Sequence, residues 1–410
     1  MRGAAWALML LFAFAIPWEF SLDLGEPFGN VARILGILVV IAAIPAILRA
    51  GRWRTPGPIQ WLVLVLYLWF CLSCFWTTDQ TATFEKMRAY AQEMAIVWLV
   101  WEFVESPRNL RALIRAYIAG SWVLAVLTLA DFTSMQATAV DQIRFAAVGQ
   151  DPNDVARFLD LGMPLAALLL NREERWEWRF LALGYIPLGL VAVVLTASRG
   201  GFLGAVLALA GCGLLLIRSH PKAILAGAFG WPAIAAVLWC AVPRETLGRL
   251  ATAPAQLRGG DLNQRSEIWR AGYRAFARSP VFGSGAGSFV RAAGLHPLDT
   301  AHNSALSIAV GGGLCALCLA VAIVALVARS ALRTHGALRL ALLTVLLVWT
   351  VSSMVDTVEE NRATWLLLGL IAAAERLAVE DRRTLEQCFS VEIAPFEDTQ
   401  IASLSRPQEH

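Results

Sequence analysis

AHNSALSIAVGGGLCALCLAVAIVALVA, residues 301–328, is the stretch that decides the fold class. From Asn303 to Ala328 no side chain is charged, a run long enough for a helix to cross a hydrocarbon core roughly 30 Å thick. The run lacks the period-two alternation of an outer-membrane barrel strand, so it reads as helix. At its lip stands His302, an ionisable group where charge is expensive and seldom idle.

Eleven comparable runs lie at 4–20, 29–48, 59–76, 87–104, 112–131, 155–170, 180–197, 202–217, 223–242, 338–355 and 363–379. The sequence therefore predicts an all-α, polytopic integral membrane protein with about twelve transmembrane helices. The run at 155–170 is the weakest, being short and interrupted by Asp160. Composition agrees: of 410 residues 58% are apolar and 16% charged, and the mean hydropathy is +0.59. Sixteen Trp against five Tyr suit anchoring at headgroup level. The net charge of +3 says little, because sidedness outweighs the sum. The run after Arg2 carries a faint cleavage signal, Ala13-Phe14-Ala15, but reads better as a retained first span.

Short loops set the orientation. Arg49, Arg52 and Arg54, then Arg108, Arg111 and Arg115, then Arg172, Arg175 and Arg179, then Arg218 and Lys222, then Arg329, Arg333 and Arg339 lie on one side. That richer side is assigned to the cytoplasm, with both termini. Residues 1–379 then form a single transmembrane domain that includes a large periplasmic loop at 243–301 with short helices, and 380–410 a polar cytoplasmic tail. Within the loop, Asn263 is placed to cap a helix running to Arg278, followed by a turn at Pro280, Gly283, Gly285 and Gly287. Asp299 or Thr300 is placed to cap the next helix, putting His302 in its first turn. The two C-x-x-C pairs, Cys71/Cys74 and Cys315/Cys318, sit among Leu and Ala with no His or acidic partner. They read as small buried hydrophobes, with no metal and no disulfide expected.

The chemistry-bearing motifs all fall on the non-cytoplasmic face. His302, followed by Asn303 and Ser304, offers an imidazole of ordinary pKa about 6.5, able to take a hydroxyl proton at neutral pH. Arg199 in Ser198-Arg199-Gly200-Gly201 stands where cations are scarce, and its glycines leave room for a ligand near the backbone. Arg265 lies off the Arg270/Arg274/Arg278 stripe of its helix and pairs with Trp269 at i,i+4. A guanidinium binds phosphate oxygens through a planar fork and stays charged. That suits a diphosphate leaving group without a metal, and no Asp-x-Asp cluster is present on that side to hold one. Arg144 with Gly149 to Asn153 forms a turn and helix cap, and Lys86 and Arg88 close the outer end of a span. Each of these features has a plainer reading as an anchor, cap or solvated side chain.

Taken together, in order and separated by spans, these pieces resemble the O-antigen ligase family, which also holds O-antigen polymerases and bacterial protein O-oligosaccharyltransferases. The resemblance rests on Arg144 with Gly149 to Asn153, on Ser198-Arg199-Gly200-Gly201, on Arg265, Trp269, Pro280, Gly283, Gly285 and Phe289, and on His302-Asn303. It implies a GT-C-type inner-membrane glycosyltransferase that takes a glycan from undecaprenyl diphosphate at the periplasmic face. In the ligases the acceptor is a sugar hydroxyl on the lipid A core oligosaccharide. By that resemblance His302 is the general base, and Arg199 and Arg265 hold the diphosphate. Arg144, Asn153, Asn303, Trp269, Arg88 and Lys86 are candidate substrate-binding residues. Transfer would invert the anomeric centre and need no cofactor, no metal and no nucleic-acid partner. The short tail argues against the protein oligosaccharyltransferase branch, and the clear His302-Asn303 pair favours ligase over polymerase. A lipid-linked glycan transporter is the alternative of a different class, but no inverted repeat is visible.

Overall fold

A computed structural model describes residues 2–25, 28–137, 143–171, 174–219, 236, 242–253, 255, 265–297 and 299–391, with the backbone alone at 136, 137, 219 and 382–391. Its helices are α1 (Arg2–Ala15), α2 (Val31–Ala50), α3 (Pro58–Leu72), α4 (Gln80–Phe103), α5 (Pro107–Ala137), α6 (Pro152–Leu168), α7 (Trp176–Leu195), α8 (Arg199–Ser219), α9 (Arg244–Ala251), α10 (Arg265–Arg278), α11 (Phe289–Ala293), α12 (Ser304–Arg333), α13 (Gly336–Ser353) and α14 (Arg362–Val391). No strand occurs among the described residues, so the all-α expectation holds.

Eight helical segments among the described residues are long and apolar enough to cross a membrane: those of α1, α2, α3, α5, α7, α8, α12 and α13. Three more of the anticipated spans are helices that carry polar side chains, α4, α6 and α14. The run at 223–242 lies almost wholly outside the described residues. α6 explains why such a helix belongs inside the bundle. Every side chain from Val155 to Ala167 is buried, Arg157 and Asp160 included, because α5, α7, α8 and α13 pack around it. Such a helix needs no lipid-facing apolar surface, and Arg157 is paired within the protein, with Asp154 and Asp356. α8 approaches α6 closely through Gly201, where an added Cβ would lie 2.2 Å from the Ala156 Cβ.

α12 is broken near its start. Gly313 takes a left-handed φ of 69°, with its Cα facing the carbonyl of Val281. The break frees backbone groups that would be costly in lipid, and the Gly-rich turn after α10 satisfies them. The carbonyl of Val310 accepts from Ser284 N–H at 2.7 Å, that of Gly311 from Gly285 N–H at 2.9 Å, and that of Gly312 from the Trp69 indole at 2.8 Å. In return Leu314 N–H reaches the Pro280 carbonyl at 2.7 Å. The turn at Pro280–Gly287 is thus built into the bundle.

Candidate functional site

One end of α12 begins the site. Asn303 caps this helix, its side-chain oxygen accepting from Leu306 N–H at 2.9 Å while its amide donates to the Met354 carbonyl at 3.1 Å. The expectation that Asp299 or Thr300 caps the helix is therefore corrected: Asn303 is the better acceptor in place, and His302 precedes the helix. His302 holds a φ of 44°, a left-handed conformation few non-glycine residues adopt. The indole of Trp269 on α10 donates to the Ala301 carbonyl at 3.1 Å, which fixes the chain immediately before it.

The His302 ring turns its Nδ1 toward Asp356, 3.8 Å from Oδ1. That separation sets the imidazole beside the carboxylate and exceeds a hydrogen bond. Asp356 follows α13 and is shared: its Oδ2 accepts from the buried Arg157 at 2.7 Å, and Oδ1 from Thr357 N–H at 2.9 Å. Arg157 also pairs with Asp154. Burial alone would raise the Asp356 carboxyl, but the His302 imidazole, Arg157 and the Thr357 N–H overcome it and hold it at about 2. Ser304 ties the same segment to α12, donating to the Asp356 carbonyl at 3.1 Å and accepting from Val358 N–H at 2.8 Å.

Asp356 and Arg157 form one wall of a small crevice of about 20 Å³, also lined by Asn153, Ser198, Gly200, Gly201 and Arg265. Asn153 gathers the second wall. Its Oδ1 accepts from Arg144 at 3.1 Å and from the Ser198 hydroxyl at 2.8 Å, and Arg144 Nε also bonds the Thr196 carbonyl at 3.2 Å. Asp151 caps α6 through Asn153 N–H at 2.7 Å. Arg199 Nε donates to the Arg249 carbonyl at 3.3 Å, and Arg249 Nε to the Ala197 carbonyl at 3.2 Å.

Four arginines therefore converge. Burial and then mutual repulsion lower the affinity of Arg144, Arg249 and Arg265 for their protons, with Arg199 acting on all three. Arg265 is partly compensated by Asp356 and Asp151. Cations crowded at the expense of their own stability make an anion-binding surface. Of the predicted residues, the structure brings together Arg144, Asn153, Arg199 and Arg265, and links His302, Asn303 and Trp269 to them through Asp356 and the Ala301–Met354 contacts. Lys86 is on α4 and is paired with Glu360 at 2.5 Å, at the far end of the segment that begins with Asp356. Arg88 is exposed on α4, with no hydrogen bond or ion pair to the arginine cluster. Gly200 and Gly201 face Val355 and Ala156, so their missing side chains admit neighbouring protein rather than leave open space for a ligand.

Asp356, Arg157 and Arg249 were not singled out from sequence. Asp356 and Arg157 carried a usable signal, an ionisable residue at or within an apolar run; Arg249 looks like any loop arginine.

Fold and site define a polytopic, helical membrane protein with a buried-edge arginine cluster facing a histidine–aspartate pair. A family model described as O-antigen ligase matches residues 184–321, a segment that holds Arg199, Arg249, Arg265, Trp269, His302 and Asn303. Residues 184–321 are thus similar to the O-antigen ligase family, the family the sequence motifs resemble. No curated protein matches the chain.

Proposed function

We propose that this protein is an O-antigen ligase: it transfers a glycan from undecaprenyl diphosphate to a sugar hydroxyl of the lipid A core oligosaccharide at the periplasmic face of the inner membrane. The observation that carries the reading is the position of Asp356, which touches His302 on one side and shares a crevice with Arg265 on the other. With Nδ1 directed at a carboxylate, Nε2 is the nitrogen left to accept the acceptor's hydroxyl proton. The resulting oxygen nucleophile attacks the anomeric carbon of the donor, opposite the diphosphate. The bond to the diphosphate oxygen breaks, its electron pair stays on that oxygen, and the configuration inverts. Arg199 and Arg265, supported by Arg144 and Arg249, neutralise that growing charge without reorganising. Their fixed cations supply what a divalent ion would otherwise supply, so transfer needs no metal and no cofactor.

The test mixes purified protein with undecaprenyl diphosphate-linked glycan and rough lipopolysaccharide, with chelator and without nucleotide. Glycan on the lipid A core is the expected product. Elongation on the lipid carrier would make the enzyme a polymerase, and flux into vesicles with no product on either acceptor would make it a transporter. His302→Ala is expected to abolish transfer while donor binding persists, whereas Arg265→Ala weakens both. A fully active His302→Ala protein would remove the imidazole from the base role.

A further inference from the structure

A second cavity lies away from the arginine cluster, between α2 and α4. At one end the two helices are in contact, with Ala43 and Ala46 of α2 packed with Phe103 of α4. Toward the other end they separate and leave a groove of about 300 Å³, walled by Ile37, Val40 and Ile41 on α2 and by Ala91 and Ala95 on α4. Small side chains on α4 hollow that wall, and Ile37 and Ile41 are exposed along its rim. Arg33, Gln92 and Arg362 stand among its lining residues near the starts of α2 and α14. Arg362 is paired with the buried Glu19, whereas Arg33 is a cation at the mouth with no ion-pair partner among the described residues. An apolar slot open to the membrane, with a cation at its end, fits one hydrocarbon chain whose headgroup carries a phosphate.

Two lipids enter the proposed reaction, and their chemistry separates them. In the donor, the diphosphate is bonded directly to the prenyl chain, so the chain must descend where the diphosphate is held, at Arg199 and Arg265. In the acceptor, an oligosaccharide separates the reacting hydroxyl from the phosphorylated lipid, so its anchor must be offset from the base. The groove has that offset. Its Arg362 and the catalytic-side Asp356 are the two ends of one short segment, which Lys86 of α4 also grips through Glu360. We infer that the α2–α4 groove, with Arg33 at its mouth, seats an acyl chain and phosphate of the glycolipid acceptor. This rests on the transferase reading above.

Protein in phosphatidylcholine nanodiscs would be titrated with rough lipopolysaccharide and, separately, with undecaprenyl diphosphate, without turnover. Ala95→Trp fills the groove and Arg33→Glu reverses the charge at its mouth. Each is expected to weaken lipopolysaccharide binding by roughly five-fold or more, the scale of one cation near a membrane surface, and to leave undecaprenyl diphosphate binding unchanged. Unchanged lipopolysaccharide binding in both variants, or loss of undecaprenyl diphosphate binding instead, would overturn the assignment. Should Ala95→Trp fail to fold, Ile41→Trp on the exposed rim obstructs the same slot with the same expectation. A wild-type protein that binds both lipids yet transfers nothing would count against the proposed reaction and leave the groove standing.

Discussion

His302 is held in a conformation it would not choose alone, with a φ of 44°, by a cap on one side and an indole on the other. Trp269→Phe keeps an aromatic ring and removes the bond to the Ala301 carbonyl, so the proposed base should wander from its position. Single-turnover measurements are expected to show transfer slowed by about ten-fold with donor affinity unchanged, since misplacement by an ångström costs rate rather than binding. Asp356→Asn keeps the shape and removes the charge that orients the imidazole. Transfer is expected to fall by about two orders of magnitude or more. Because the Asp356 carboxyl is held at about 2, it stays ionised across the working range, and the acid limb of a pH–rate profile should belong to another group. His302 and Arg199 were legible in the sequence because each is chemically out of place beside an apolar run, and Arg265 because it lies off the arginine stripe of its helix. Asp356 also stands at the end of an apolar run, but its pairing with His302 depends on α13 returning beside the start of α12, which no local spacing records.

The helices were legible almost wherever they are apolar. What the pattern could not distinguish was a span facing lipid from one enclosed by its neighbours, and α6 is the case in point: only the packing of α5, α7, α8 and α13 explains Arg157 and Asp160 within it. The break in α12 was equally hidden, since a run of three glycines can also sit in an unbroken helix. Gly313→Ala tests it. The new Cβ would lie 2.1 Å from the Val281 carbonyl oxygen at a residue whose φ is 69°. Strain and overlap together predict a loss of about 3 kcal/mol or more in stability, read as a lower unfolding midpoint in detergent.

Across the molecule, the buried carboxylates Glu19, Glu93 and Glu359 come from three separate segments to the region where α14 starts. Burial, then the charge of Glu360, push the Glu359 carboxyl up to about 7, against the pull of the Ser304 and Ser307 hydroxyls. Its folded value lies above the ordinary 4.5, so the folded chain binds the extra proton between those two values. The stability it lends is complete below about pH 4.5 and is lost as pH rises through about 7. An unfolding midpoint that declines between those limits is expected, with Glu359 contributing a free energy on the order of 3 kcal/mol at most. Glu359→Gln should flatten that decline. An identical pH dependence in the variant would assign the effect elsewhere.

The backbone exchange at the break in α12 also has a consequence for the order of biogenesis. Ser284, Gly285 and Trp69 donate to carbonyls of residues that leave the ribosome after them. The upper turns of α12 therefore arrive at the translocon with their partners already made, and a chain halted before Pro280 would lack the groups that later let this helix rest, broken, in the bilayer. At its break, though not at its start, α12 is completed by sequence that came before it.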